Sequence, residues 1–555
     1  MVELMAPKKL ILILLILVSF CRSKCVTRVE SACELAPDRK FCESSLYGNS
    51  ASSQQGPKGM SETAIKKSIA EATRIRQLIP STSGHSQQSR ALQDCSQLYD
   101  LAVDHLTDGL SELSENSVKL RQAVDIQSFL SAALTYQVTC LDCLKEANVN
   151  LRSYSFTDRI SNSSRSVSSC LALVRKYWIG GTGSVKTSVN NRHPLSDAPQ
   201  VPSVADGFLS QYGSMDNGFP SWVSRGVRIL LLQTARGVSL TGNVVTVAQN
   251  GSGNFTTITD AINAAPNKSA DRFVIYVTGG VYEEYVAIPK SKYNIMLIGD
   301  GINVTVITGN RSVVDGWTTF NSATLSTVGK GFIARDLTIE NTAGAVKHQA
   351  VALRVGADLS VFYRCSLKGY QDTLYTHSLR QFYRECEIYG TVDFIFGNSA
   401  VVFQDCTLLA CKPMDNQQNL YTAQGRTDPN QNTGISIQNC NVTAASDLVP
   451  VISSFPTYLG RPWKEYSRTV YMQSYLDSLI QPAGWSAWSG DFALSTLYYG
   501  EYDNSGPGAG TSQRITWAGY HVMNITDAQN FTVSSFISGD SWLPATSVTY
   551  DGGLS

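Results

Sequence analysis

From about Cys33 to Trp178 the apolar residues return at helical steps. Leu98, Leu101, Ala102, Leu106, Leu110 and Leu113 form one stripe, and Leu130, Ala133, Leu134 and Val138 form another. Such stripes mark one face of an amphipathic helix and are normally buried against one another, so this region is expected to be an all-α four-helix bundle. Beyond about Thr241 the period changes. Short runs of Val, Ile, Thr and Tyr, separated by Gly, Asn and Asp, carry no long helical pattern and read as strands. Between the two regions, Gly180 to Gly218 is rich in Gly, Ser, Pro and Asn, includes Pro194, Pro199 and Pro202, and has little periodicity, which suits an exposed connector.

The strand region repeats itself. VFYRCSL (Val361 to Leu367), QFYRECEI (Gln381 to Ile388), VVFQDCTL (Val401 to Leu408) and ISIQNCNV (Ile435 to Val442) share alternating apolar positions, a polar residue and then cysteine. Each reads as one strand of a repeating coil. Cysteine steps of 21, 20 and 34 positions fit a solenoid whose turns vary by loop insertion, and a parallel β-helix is the expected all-β architecture. Cys365 is followed seven residues later by Asp372, and Cys386 seven residues later by Asp393. Strands of such a stack lie about 4.8 Å apart, so two aspartates at equivalent offsets can face each other across one spacing. Carboxylates that close do not ionise independently. Two solvated turn aspartates are the plain alternative; shared register and apolar flanks favour the pair.

Lys8 and Lys9 precede an apolar run from Leu10 to Val18, in outline a secretory signal. The run falls short of the roughly 20 residues that span a bilayer, so no stable membrane insertion is expected after its removal. An uncleaved anchor is the competing reading, because SFCRSKC lacks a small-x-small cleavage pattern. With Cys21 in or beside the removed segment, twelve of the thirteen cysteines remain for an oxidising compartment. Zinc on Cys140-x-x-Cys143 is the alternative, but no second pair with nearby histidines completes a site, so no metal or cofactor is expected. Nine Asn-x-Ser/Thr sequons, at Asn162, Asn250, Asn254, Asn267, Asn303, Asn310, Asn441, Asn524 and Asn530, agree with export. Lys plus Arg balance Asp plus Glu at 45 each, and without a basic run a nucleic-acid partner is not expected. From Arg236 onward 20 basic residues meet 25 acidic ones, leaving this half near −5 and the rest near +5.

Several segments carry a specific resemblance: NGSGNFTTI (Asn250 to Ile258), KHQAVALR (Lys347 to Arg354), GYQDTLY (Gly369 to Tyr375), GTVDFIFG (Gly390 to Gly397), TAQGRTDPNQNTG (Thr422 to Gly434), LGRPW (Leu459 to Trp463) and PAGW (Pro482 to Trp485). From about Val244 to the C-terminus the chain resembles the plant pectin methylesterases. The first region, with Cys33 and Cys42 and the pair Cys95 and Cys140, is similar to the inhibitor bundle found as a pro-region in that family. The resemblance implies a right-handed parallel β-helix that hydrolyses the methyl ester of galacturonate units in pectin. At matching positions it implies Asp393 as nucleophile, Asp372 as proton donor and later base, Gln349 and Gln371 as oxyanion stabilisers, and Arg461 holding Asp393. Trp463 and Thr319 would contact the sugar chain. The expected organisation is a signal peptide over 1–23, an inhibitor-like bundle over 24–180, a linker over 181–240 and the esterase domain over 241–555. Arg228 to Leu231 is similar to the basic-x-Leu-Leu site cut in related enzymes, against an ordinary linker helix. The partners implied are methyl-esterified homogalacturonan, a processing protease and separate inhibitor proteins, in the plant cell wall.

These residue types suit the reaction. Ester hydrolysis needs a nucleophile, a proton for the departing methoxide and donors for the oxygen that gains charge. An arginine beside Asp393 favours its ionisation, while the neighbouring Asp372 is pushed toward the protonated state. Amides stabilise an oxyanion without adding a titrating charge. Trp463 and Trp485 are read either as core or as platforms for the apolar face of a sugar. A serine mechanism lacks a Gly-x-Ser-x-Gly elbow, and His348 and His377 are read as structural. A pectin-binding module, or a lyase or glycosidase using paired carboxylates, are the rival functions. Cys365, Cys386, Cys406 and Cys440 occupy equivalent coil positions; Cys365 to Cys386 and Cys406 to Cys440 are the preferred bridges, with inward stacking as thiols the alternative.

Overall fold

The computed structural model describes residues 29–47, 56–113, 118–149, 156–180, 215–216, 219–220 and 244–554. The expected signal peptide and the Arg228 to Leu231 segment lie outside the described residues. The chain divides into two compact units, one of Met1–Gly183 with Asp428–Asn432, the other of Ser184–Thr427 with Thr433–Ser555.

Four long helices build the first unit: Pro57–Leu78, Gln87–Leu113, Leu120–Glu146 and Phe156–Val174, preceded by the short Arg39–Tyr47. The stripe residues Leu98, Leu101, Ala102, Leu106 and Leu113 are all buried, as are Leu130, Ala133 and Leu134. Helix Gln87–Leu113 packs against Leu120–Glu146 and Pro57–Leu78, and Phe156–Val174 closes the ring against Pro57–Leu78 and Leu120–Glu146. A Cys95–Cys140 disulfide joins two neighbouring helices, and Cys33–Cys42 ties the entry segment. Pro57 opens its helix at the position where a missing N–H costs nothing. Among the described residues no helix is long and apolar enough to cross a membrane.

The second unit is a parallel β-helix. Strand Leu353–Val355 pairs with Leu374–Thr376, which pairs with Ile395–Gly397, each partner 21 residues on. With Val286–Ile288, Leu325–Thr327, Asn419–Gln424 and Thr457–Gly460 they form one seven-stranded parallel face. Two further faces complete each coil. The long strand Ile333–Asn341 bends at Asp336 (φ 56°), so that its first half pairs with Ile295–Ile298 and its second with Thr305–Gly309.

That bend recurs and corrects the strand reading around the cysteines. Arg364, Glu385, Asp405 and Asn439, each just before a cysteine, have φ between 50° and 57°. Ser360–Lys368 therefore turns a corner within one strand, and the other three segments split into two strands on different faces, as in Arg380–Arg384 and Glu387–Gly390. The cysteines sit at the corner, stacked in the core. They are free thiols, not the expected Cys365–Cys386 and Cys406–Cys440 bridges. In-register parallel neighbours hold their Cβ atoms a strand spacing of about 4.8 Å apart with parallel Cα–Cβ vectors, wider than the Cβ separation near 3.8 Å that a bridge favours. The same register stacks Phe362, Tyr383 and Phe403, with centroids 4.8 and 4.7 Å apart. Coil stacking thus fills the interior with ladders of like side chains.

Candidate active site

The seven-stranded face positions the candidate residues. Asp372 and Asp393 each precede a strand by two residues, and because Leu374 pairs with Ile395 the two aspartates occupy the same position on adjacent coils. The Asp372 N–H donates to the Val392 carbonyl at 3.1 Å, and Leu374 N–H to Phe394 at 2.8 Å, which brackets Asp393. Both aspartates are left-handed, at φ 64° and 53°. A non-glycine residue held there costs on the order of 1 kcal/mol and persists only where its surroundings over-determine it. Both are nearly buried, at 8% and 6% exposure.

Arg461 leaves the end of strand Thr457–Gly460, two coils further along the face. Its guanidinium binds Asp393 in fork geometry, Nε to Oδ1 at 2.9 Å and Nη2 to Oδ2 at 2.7 Å. Burial pushes the Asp393 carboxyl up and the Arg461 charge and hydrogen bonds pull it down, with a net shift above the ordinary aspartate value. Arg461 favours ionisation, as expected, but the desolvation of Asp393 outweighs it. Gln371 immediately precedes Asp372, and its carbonyl accepts from Ala350 N–H at 3.2 Å, so Gln349 lies on the preceding coil beside it. The Gln349 carbonyl accepts from Val313 N–H at 3.0 Å, tying in the loop that carries Thr319. Next to Thr319, Phe320 is buried beneath the Arg354 guanidinium at 3.5 Å and edge-on to His377 at 5.3 Å.

His377 is fully buried, and burial first, then Arg354, holds its pKa well below the usual histidine value. A neutral ring packed between Phe320 and Tyr375 is a structural element. Trp463, half-buried, lies edge-on to Phe396 at 5.9 Å and Tyr375 at 6.4 Å. A Cβ on Gly425 would come within 2.7 Å of its ring, so only glycine leaves the indole this seat. Trp485 is core, 1% exposed. Sequence reading missed Trp488, which is 38% exposed with the Arg461 guanidinium 4.4 Å over its ring. The signal was the tandem Trp-Ser-Ala-Trp, in which one aromatic turns inward and the other out. Among the described residues no group of His, Cys, Asp and Glu is arranged to hold a metal ion.

The arrangement offers a buried carboxylate fixed by arginine, a second carboxyl one coil away, two amides and flanking indoles. A pectinesterase family model matches residues 244–540, and the family of plant invertase and pectin methylesterase inhibitors matches 27–173. Probable pectinesterase/pectinesterase inhibitor 41 of Arabidopsis thaliana is 48% identical over 552 residues, 94% of each chain. Pectinesterase 1 of Solanum lycopersicum is 51% identical over 471 residues, covering 84% of this chain and 79% of that one. The solved pectin methylesterase from carrot superposes with a TM-score of 0.56 at 60% identity, covering 57% of this chain and 99% of its own. The chain therefore belongs to the pectinesterase family, a carboxylic ester hydrolase of the right-handed β-helix class with an inhibitor-like helical domain ahead of the catalytic one.

Proposed function

We propose that this enzyme removes methyl esters from cell-wall homogalacturonan through an aspartyl nucleophile. Asp393, ionised, attacks the ester carbonyl carbon, and the oxygen that gains charge is met by the side-chain amides of Gln349 and Gln371. Collapse breaks the bond to methoxide, which leaves as methanol with the proton of Asp372. Asp372, now a carboxylate, takes a proton from water; the hydroxide oxygen attacks the acyl carbon of the mixed anhydride, freeing galacturonate and restoring Asp393. Thr319 and Trp463 contact the sugar chain, and Arg461 keeps Asp393 aligned and charged. One observation carries this reading: two acid side chains sit in register on successive coils, and one of them is gripped by arginine at 2.9 and 2.7 Å.

The chain is exported to the cell wall by its N-terminal segment, cut near Arg228 to Leu231, and kept silent until then by its helical domain. Methanol release from esterified pectin, without new reducing ends or unsaturated products, tests the reaction class. Its loss in Asp393→Asn tests the nucleophile; full activity in that variant overturns the assignment.

A further inference from the structure

Arg461 must reach across two coils to meet Asp393, and a long side chain so extended depends on how firmly its backbone is held. The strand that ends at Gly460 is gripped on its far edge by the segment Gln481 to Ser486. Gln481 N–H donates to Thr457 at 2.9 Å, Leu459 N–H to Gly484 at 2.8 Å and Ser486 N–H to Gly460 at 3.0 Å. Beneath this turn lies an ion pair with both side chains 2% exposed, Glu501 and Arg514. Arg514 Nε meets Glu501 Oε1 at 2.8 Å and Nη2 meets Oε2 at 3.1 Å. The rest of the guanidinium fork holds backbone, with Nη1 on Pro482 O at 3.1 Å and Nη2 on Gly508 O at 2.6 Å. Glu501 Oε1 also accepts from Trp485 Nε1 at 3.1 Å and from the Tyr520 hydroxyl at 3.2 Å.

A buried ion pair is a poor stabiliser, since apolar residues of similar volume are often as good or better. Its geometry here points to another use. Gly484 has φ 72°, and a Cβ there would lie 2.4 Å from Arg514 Cδ and 2.5 Å from Nε, so the turn is shaped to the guanidinium. Trp485 stacks on Tyr499 at 4.0 Å, and the Tyr499 phenol, raised chiefly by burial, also feels Asp393 and Arg461. Three residues on, Trp488 covers the Arg461 guanidinium itself. This stretch thus holds the strand that leads into Arg461 and covers its charge, while the Arg461 N–H itself donates to Thr422 O at 3.0 Å on the coil between.

We propose that Glu501 and Arg514 are positioning residues that fix Arg461 against Asp393 through the turn Pro482 to Trp485. The inference rests on the reading of Asp393 as nucleophile. The groups that titrate or carry charge around Asp393 are Arg461, Asp372 on the adjoining coil and Tyr499 from the core; those around Glu501 are Arg514, Tyr520 and Tyr471, which packs edge-on against Trp485. If the grip loosens, Arg461 opposes the burial of Asp393 less well, and the acid limb of kcat moves to higher pH.

The test uses the enzyme as a plant-cell host secretes and processes it from the full-length chain. Trp485→Phe keeps an aromatic ring at the stack and both charges, and removes the indole N–H together with the second ring; a double variant, E501L with R514M, removes both charges at once, and with them the acceptor of Trp485 Nε1 and the Tyr520 hydroxyl and the donor to the Pro482 and Gly508 carbonyls. In each, kcat falls about tenfold or more with KM nearly constant, and the acid limb rises by about half a pH unit. In an Arg461→Lys background the same substitutions add no further shift. Lower thermal stability with the parent kcat and limb, a lower kcat with an unmoved limb, or an additive shift in the lysine background each overturns the inference. If the double variant is not secreted, Trp485→Phe decides. Full activity in Asp393→Asn instead overturns the nucleophile assignment, so the two failures are distinct.

Discussion

At the scale of single residues, Asp393 is held between two opposed effects. Burial raises its pKa, the Arg461 fork lowers it, and the balance stays above the ordinary aspartate value. A nucleophile must be ionised, so on the proposed assignment activity is lost as pH falls through the folded-state pKa. The acid limb of kcat/KM for methanol release should therefore lie above the pKa near 4 of a free aspartate. Arg461→Lys, which cannot form the fork, should move it higher still. A limb at or below the ordinary value, or one that lysine leaves in place, would contradict this account of the charge balance. The two amides make a separate prediction. On the proposed oxyanion role, Gln371→Leu and Gln349→Leu each remove a donor that acts as charge develops, so kcat should fall by about a hundredfold or more with KM little changed. A rise in KM alone would assign the amides to ground-state binding.

At the scale of elements, the coil repeat was legible because in-register stacking demands like residues every turn. The cysteines and the aspartates seven residues later announce the register directly. What stayed hidden is where each coil turns. Arg364, Glu385, Asp405 and Asn439 are left-handed without being glycine, so the corner before each cysteine looked like the middle of a strand. Trp488 escaped for a related reason: alternation tells inward from outward only within a strand, and it lies in a loop. Another buried pair tests the coil's electrostatics. Asp358 accepts from Arg380 at 3.0 and 2.7 Å. Burial alone would raise it, but the Arg380 charge and hydrogen bonds hold it below the ordinary range. A depressed pKa contributes stability above the unfolded value near 3.9 that is lost as pH falls through the folded one. Arg380→Met leaves a buried carboxylate without its counter-charge and should cost about 3 to 5 kcal/mol at pH 7. The sign of its pH response then reverses. With its pKa now raised, Asp358 takes up a proton as pH falls, so the deficit against the parent should shrink toward pH 4. Denaturation midpoints at the two pH values measure this, and a deficit that grows on acidification would refute it.

At the scale of the whole molecule, the chain joins an esterase to a domain of the inhibitor family; from Arg236 onward the charge is near −5, while the bundle over 24–180, with 18 basic and 16 acidic residues, is near +2. An enzyme made inside the cell on the way to its substrate gains from staying silent until it arrives, and a cut near Arg228 to Leu231 would separate the halves. Replacing Leu230 and Leu231 by alanine should leave an uncut chain in the secreted fraction, seen as a single large species by mass analysis. Its methanol release should be a small fraction of that of the processed enzyme and should recover when a protease site engineered into the linker is cut. If opposite charge contributes to the silencing, added salt should raise the residual activity, because such attraction is screened beyond about 10 Å at 0.1 M. Salt-insensitive silence would remove charge attraction as its cause, whereas an uncut chain as active as the processed one would remove the helical domain from the control of this enzyme.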